Sequence, residues 1–418
     1  MNKIKVLHLI PFHFMAKVHA TFIEENDPRF EFYWIYTKYR PNSSISFMKT
    51  GTQILPSTEA DRKLEVLDLI NEKGNGPPSF KSTIKFILDK GIENIILSNL
   101  GLRKTMTEFF KNHPNIKIYF INHGISNLDA IKRTIQLNRL NENYIWSHVH
   151  HTFITKTEIP LWKSNPRYIC EENGKDLFPR ATIIPGIPQM DFMKTLDFDY
   201  YKNLIFKHLD SSGFFTNVEN PDAKSKKSIL FVNNISNDIS KCNQNNVETN
   251  DIFKCLSEYC ETNDLQLFSK IKHVSAWQKK FRDGNGKVYR LFKPSHITPV
   301  LAHETSEIPL YYFLFADAIV VQNYGTSLIE ALMVKPQVIR CQLTKADNVP
   351  LMNKYPNLLQ AYNTKTIVKQ LDEIFEGSYP TPEAESEREL YLKDFLGDYK
   401  NQPSATKVVL DKIYELNQ

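Results

Sequence analysis

The sequence predicts an α/β protein of two doubly wound layers, and three observations carry that expectation. Short apolar, β-branched runs alternate with helical segments through the first half; the same alternation returns in the second half; and a stretch with little apolar periodicity separates them. At 418 residues the chain is also too long for one ordinary core, so two domains are the default.

The first strand is expected at Val6 to Ile10. The apolar run there is too short for a signal-peptide core, is broken by Pro11, and precedes no small-residue cleavage site. Strands follow at Phe30 to Tyr36, Asn94 to Ser98, Ile116 to Ile121 and Ala181 to Pro185, with helical sequence at Lys81 to Lys90 and Leu102 to Asn112. Ser211 to Lys227 mixes Ser, Asn, Gly, Pro and Lys and reads as an exposed loop or linker. The second layer has strands at Ser228 to Val232, Gln266 to Phe268, Val288 to Phe292, Ala318 to Gln322 and Gln337 to Ile339. Val408, Val409, Leu410, Ile413 and Leu416 then fall at helical spacing. The expected boundaries are residues 1–210 for a first domain, 211–227 for the linker, 228–400 for a second domain and 401–418 for a terminal packing helix. This is the layout of two Rossmann-like domains facing across a cleft, with ligands bound at the C-terminal strand edges.

Composition bounds the partners. Apolar residues make up 41% and charged residues 24%, an ordinary globular balance. The net charge of +5 is small and the Lys and Arg are scattered, which argues against nucleic acid as a partner. Five cysteines form no C-x-x-C pair and no metal-ligand spacing, so reduced thiols and a cytoplasmic location are expected. With no apolar run of membrane-spanning length, any membrane contact is peripheral, at the inner face.

The most informative stretch is Val320-Val321-Gln322-Asn323-Tyr324-Gly325-Thr326-Ser327-Leu328-Ile329-Glu330. A strand that opens through Gly325 onto a helix presents unpaired backbone N–H groups together with the Thr326 and Ser327 hydroxyls, a setting for a diphosphate. Glu330, one turn further in, suits a ribose hydroxyl. In Tyr119-Phe120-Ile121-Asn122-His123-Gly124, Gly124 allows a tight turn that projects His123 from a sheet edge, where a near-neutral imidazole can act as a base. The simpler alternative is a histidine that closes the turn. Lys293 and His296 follow the Val288 to Phe292 strand and are placed to meet donor phosphates; the alternative is a solvated loop. His13, after the first strand, and Asp191, after a Gly/Pro turn, are acceptor-side candidates, with an ordinary loop histidine and a helix cap as alternatives. His148, His150 and His151 lack a local acid or cysteine to complete a metal set, and no Asp-x-Asp is present, so no metal or other cofactor is expected. Tyr311, Tyr312, Phe313 and Phe315 have the spacing of core packing.

Taken in order, Asn122-His123-Gly124-Ile125, Pro185-Gly186-Ile187-Pro188-Gln189-Met190-Asp191, Lys293-Pro294-Ser295-His296 and the block from Ile308 to Ile339 make the chain resemble the CDP-glycerol glycerophosphotransferase family and related capsule and surface-carbohydrate transferases. The resemblance implies the GT-B arrangement and a transferase that moves a sugar or polyol phosphate from a nucleotide-activated donor to a hydroxyl of a cell-surface glycan or its lipid-linked precursor. It implies His123 as general base, with His296 and Lys293 near the donor phosphates and Gly325, Thr326 and Ser327 on the diphosphate. The sequence departs from that family in having Asn122 before His-Gly, Gln189 before Asp191 and Asn233-Asn234-Ile235-Ser236 after the first strand of the second domain, so the donor is not fixed as CDP-glycerol. Two alternatives share the fold. One is a nucleotide-sugar 2-epimerase, whose acid and base carboxylates are not evident in the sequence; the other is a non-catalytic nucleotide-sugar or glycan-binding protein.

Overall fold

The computed structural model describes residues 3–10, 16–36, 80–98, 104–121, 149–156, 169–170, 175–176, 181–191, 226–233, 244–270, 280–282, 288–290, 298–300, 310–322, 326–343, 354–398 and 400–418. The chain runs β1 (Ile4–Ile10), α1 (Ala16–Glu25), β2 (Phe30–Tyr36), α2 (Phe80–Lys90), β3 (Asn94–Leu97), α3 (Lys104–Asn112), β4 (Lys117–Ile121) and β5 (Val149–Thr155). A two-stranded ribbon of β6 (Ile169–Cys170) and β7 (Lys175–Asp176) precedes β8 (Ala181–Ile184) and a 3₁₀ turn at Pro188–Met190. The second set is β9 (Ser228–Val232), α4 (Gln244–Thr262), β10 (Gln266–Lys270), β11 (Lys280–Arg282), β12 (Val288–Arg290), β13 (Thr298–Val300), α5 (Leu310–Phe315), β14 (Ala318–Gln322), α6 (Thr326–Val334) and β15 (Val338–Cys341). It closes with β16 (Gln360–Ala361), α7 (Thr364–Phe375), α8 (Pro382–Leu396) and α9 (Ala405–Glu415). Two compact units result: Met1–Thr195 with Thr305–Glu307 and Lys393–Gln418, and Leu196–Glu304 with Ile308–Leu392. The α/β class is as predicted, with a six-stranded parallel sheet in each unit.

The first sheet has the order β2-β1-β3-β4-β5-β8. Side chains alternate across a strand, so each strand buries two apolar sets. Val6, Ile96, Tyr119, Ile121, Phe153 and Ile184 meet Val18 and Phe22 of α1 and Ala405, Val409, Leu410 and Ile413 of α9 on one face. Leu7, Leu9, Ile95, Leu97, Ile118 and Phe120 meet Phe86 and Ile87 of α2 and Met106, Phe109 and Phe110 of α3 on the other. Each buried Val, Leu or Ile of α9 stabilises the unit by about 1.5–3 kcal/mol. Pairing between β4 and β5 skips His150, which forms a bulge.

The second sheet has the order β13-β10-β9-β14-β15-β16. Ile229, Phe231, Ala318, Val320, Ile339 and Cys341 pack under α4 and α7, whose Tyr259 hydroxyl and Asp372 carboxylate are joined at 2.8 Å. Phe268 packs edge-on to Phe315 of α5 at 5.1 Å. Phe313 and Phe315 are buried, in keeping with the core role expected of the aromatic cluster. Cys255, Cys260 and Cys341 are buried thiols, and burial raises the first two to about 11 and about 12. One expected strand is corrected. Val288–Arg290 pairs antiparallel with Lys280–Arg282 in a separate ribbon instead of joining the parallel sheet. No helix among the described residues is long and apolar enough to cross a membrane.

Candidate functional site

In the second unit the strand order reverses between β9 and β14, and the carboxyl ends of strands at such a reversal border the ligand crevice of open α/β sheets. β9 ends at Val232 and β14 at Gln322, after which α6 starts at Thr326. The first turn of α6 directs backbone N–H groups toward that edge. Thr326 and Ser327 are partly buried there, while Leu328 to Met333 pack inward. Glu330 is among the inward residues, only 2% exposed. Gln322 accepts a hydrogen bond from the Thr249 hydroxyl of α4 at 2.6 Å, which ties the end of β14 to that helix. Asn233, the residue after β9, is 6% exposed and donates from Nδ2 to Ser269 Oγ of β10 at 3.1 Å. Thr249 and Ser269 escaped sequence reasoning and Asn233 was read only as a departure from the family pattern, because single polar side chains leave no periodic signal.

Asp317 and Lys335, part of the block that carried the resemblance, lie at the opposite end of β14. Asp317 accepts from the Ser228 N–H at 2.7 Å and Lys335 donates to the Ala316 carbonyl, so both pin strand and helix ends.

The first unit has its own reversal, between β1 and β3. His8 of β1 and His19 of α1 are wholly buried and bonded Nδ1 to Nδ1 at 2.8 Å; His19 Nε2 is 2.8 Å from the hydroxyl of Ser98, the residue after β3. The His8 ring lies stacked on Trp34 at 4.0 Å. Burial, and then the neighbouring His19, hold His8 well below the usual imidazole range, so it is neutral. His151 of β5 is likewise pushed down, to about 4, by burial first, and bonds to the Thr182 hydroxyl.

Asp191 has a structural task. Its carboxylate accepts from the backbone N–H groups of Ala405 and Thr406, each at 2.8 Å, and from the Thr406 hydroxyl at 2.7 Å. Ser404 accepts from the Lys407 N–H, which completes the cap of α9. Gly186, with φ +97°, lets the chain pass Leu396 so closely that a Cβ would lie 3.3 Å from its side chain. The Pro185 to Asp191 motif thus receives the C-terminal helices, and Asp191, read from the sequence as an acceptor-side residue or a helix cap, caps α9. His13, His123, Gly124, Lys293, His296 and Gly325 lie outside the described residues.

No family model matches the chain, and no curated protein matches it. Solved structures do. A Listeria monocytogenes structure assigned as a UDP-N-acetylglucosamine 2-epimerase is similar over 100% of this chain and 97% of its own, at 12% identity and a TM-score of 0.58. The Neisseria meningitidis UDP-GlcNAc 2-epimerase bound to UDP-GlcNAc covers 99% and 100%, at 13% identity and 0.55. The wall teichoic acid polymerase TagF covers 99% and 88%, at 12% identity and 0.51. Such identities establish a shared fold alone, and the order of the neighbours within it runs against the expected transferase reaction. The transferase reading placed the chain with polymer-building enzymes, yet several 2-epimerase structures stand above the polymerase in similarity, so transfer to a glycan acceptor gives way to the epimerase alternative.

Proposed function

We propose that this chain is a nucleotide-sugar 2-epimerase acting on a UDP-linked 2-acetamido sugar. The observation that carries the reading is end-to-end similarity, across both units, to structures named as UDP-GlcNAc 2-epimerases. The second unit offers the matching chemistry. The α6 N-terminus with Gly325, Thr326 and Ser327 takes the diphosphate, Lys293 adds a cation, and Glu330 accepts from the ribose. This charge balance needs no metal. Inversion at C2 is balanced when a base takes the C2 proton as the C1–O bond to UDP breaks, leaving a C1=C2 double bond. A proton then adds to the opposite face of C2 as UDP re-forms its bond to C1. Both proton transfers call for groups that titrate near neutrality. His123 is the proposed base for the proton removal.

Incubating the protein with UDP-GlcNAc in D₂O, followed by proton NMR, tests the reading. Appearance of the C2 epimer with deuterium at C2 supports it. Binding of UDP-GlcNAc with neither epimer nor deuterium incorporation overturns the reaction and leaves a binding protein.

A further inference from the structure

We infer that Asn233 is a hydrogen-bond acceptor for the sugar of the bound nucleotide sugar, a role that rests on the nucleotide-sugar reading above. Asn233 directly follows β9, at the strand-order reversal beside β14, where a ligand is expected on topology alone. A second, independent observation points to a ligand. The side chain is 6% exposed, its Nδ2 is committed to Ser269 Oγ at 3.1 Å, and its Oδ1 has no hydrogen-bond partner among the described residues.

A buried amide oxygen left without a donor is costly, and native proteins keep few such groups. The bond to Ser269 occupies the amide nitrogen, so Oδ1 is the group of this side chain left to accept from a ligand once the covering atoms part. Its partial negative charge disfavours phosphate and favours a hydroxyl or an amide N–H. Neighbouring strands lie about 4.8 Å apart, so the end of β9 borders the diphosphate position at α6 without coinciding with it. Of the two groups that flank a diphosphate, the ribose falls to Glu330 and the sugar to Asn233. Asn233 would then select sugars that present a donor, since an analogue without one leaves the carbonyl orphaned.

The test is isothermal titration of UDP and of UDP-GlcNAc into the wild-type protein, Asn233→Ala and Asn233→Ser. The expected result is a loss of about tenfold in UDP-GlcNAc affinity in the alanine variant with UDP affinity unchanged within about twofold. Asn233→Ser, which keeps a polar oxygen, should show a smaller loss of the same selectivity and supplies the comparison if the alanine variant does not fold. Equal losses for both ligands would move the contact to the nucleotide and overturn the inference, as would no loss for either. A wild-type protein that binds neither ligand overturns this inference together with the nucleotide-sugar reading. One that binds UDP-GlcNAc without epimerising it sinks the reaction alone and leaves the Asn233 comparison intact.

Discussion

His8 and His19 meet Nδ1 to Nδ1 at 2.8 Å, and such a bond needs one donor and one acceptor. When both rings are neutral they therefore hold opposite tautomers. The His8 Nε2 has no partner among the described residues and faces apolar rings, where a bare nitrogen is tolerated better than an orphaned N–H. His8 then donates from Nδ1, and His19 donates from Nε2 to Ser98. One further proton on this pair would place charge in a wholly buried site, which is why burial holds His8 well below the usual imidazole range.

That relationship predicts how stability depends on pH. In the folded protein His8 sits well below its ordinary value and His151 at about 4, both lowered first by burial. The unfolded chain protonates each near 6.5. The stabilisation is thus fully present above about pH 6.5 and is lost as pH falls toward about 4, because the unfolded state binds more protons in that window. Urea midpoints measured from pH 7.5 to pH 4.5 should decline, and His151→Gln should flatten the decline. An identical slope in that variant would count against the assignment.

The cap on α9 gives a second prediction. Asp191→Ala removes an acceptor that serves two helix amides and one hydroxyl, and should lower stability by about 2 kcal/mol. Thr406→Val should be non-additive with it in a double-mutant cycle. Additive losses would mean that Asp191 and Thr406 act separately.

A third prediction concerns the turn at the start of α6. Replacing Thr326 with Val and Ser327 with Ala deletes two hydroxyls and leaves the helix amides, so UDP affinity should fall while uridine affinity holds. Glu330→Ala should weaken both ligands by about 1.5–3 kcal/mol through the ribose. Unchanged UDP affinity in the doubly substituted protein would remove the phosphate assignment.

The fourth concerns His123. His123→Ala should lower epimerisation by about 10²- to 10⁴-fold while UDP affinity stays near that of the wild type. Near-normal turnover in a folded variant would return this histidine to closing a turn.

Parallel strands buried on both faces read as continuous apolar runs, which is why Ser228–Val232 and Ala318–Gln322 were legible to the residue. Val288 misled because its run to Phe292 is apolar or aromatic except at Arg290. The Asp283-Gly284-Asn285-Gly286 signal just before it marks a local hairpin, which accounts for the antiparallel ribbon. Helix α4 went unread because its first turns are polar, and the buried Thr249 there donates to Gln322, a partner 73 positions away. His8 and His19 lie 11 positions apart, but the Ser98 that completes the chain lies 79 positions from His19. Asp191 was legible as the end of a turn, whereas its partner Thr406 is 215 positions away. The reaction was least legible, since a transferase and an epimerase can share every strand and differ in a few side chains at their ends.

Helix α9 also sets an order of assembly during synthesis. It covers Val6, Ile96, Tyr119 and Ile121, and Lys117 donates to the Leu416 carbonyl, so beside α1 this face of the first sheet stays partly open until α9 leaves the ribosome. Roughly 200 residues separate Thr195 from the return of the chain at Lys393, which at about 5–20 residues per second is a wait of ten seconds or more. Throughout that interval an apolar sheet face is presented to solvent or to a chaperone, and a ribosome that stalls within the second unit leaves the first without its cover.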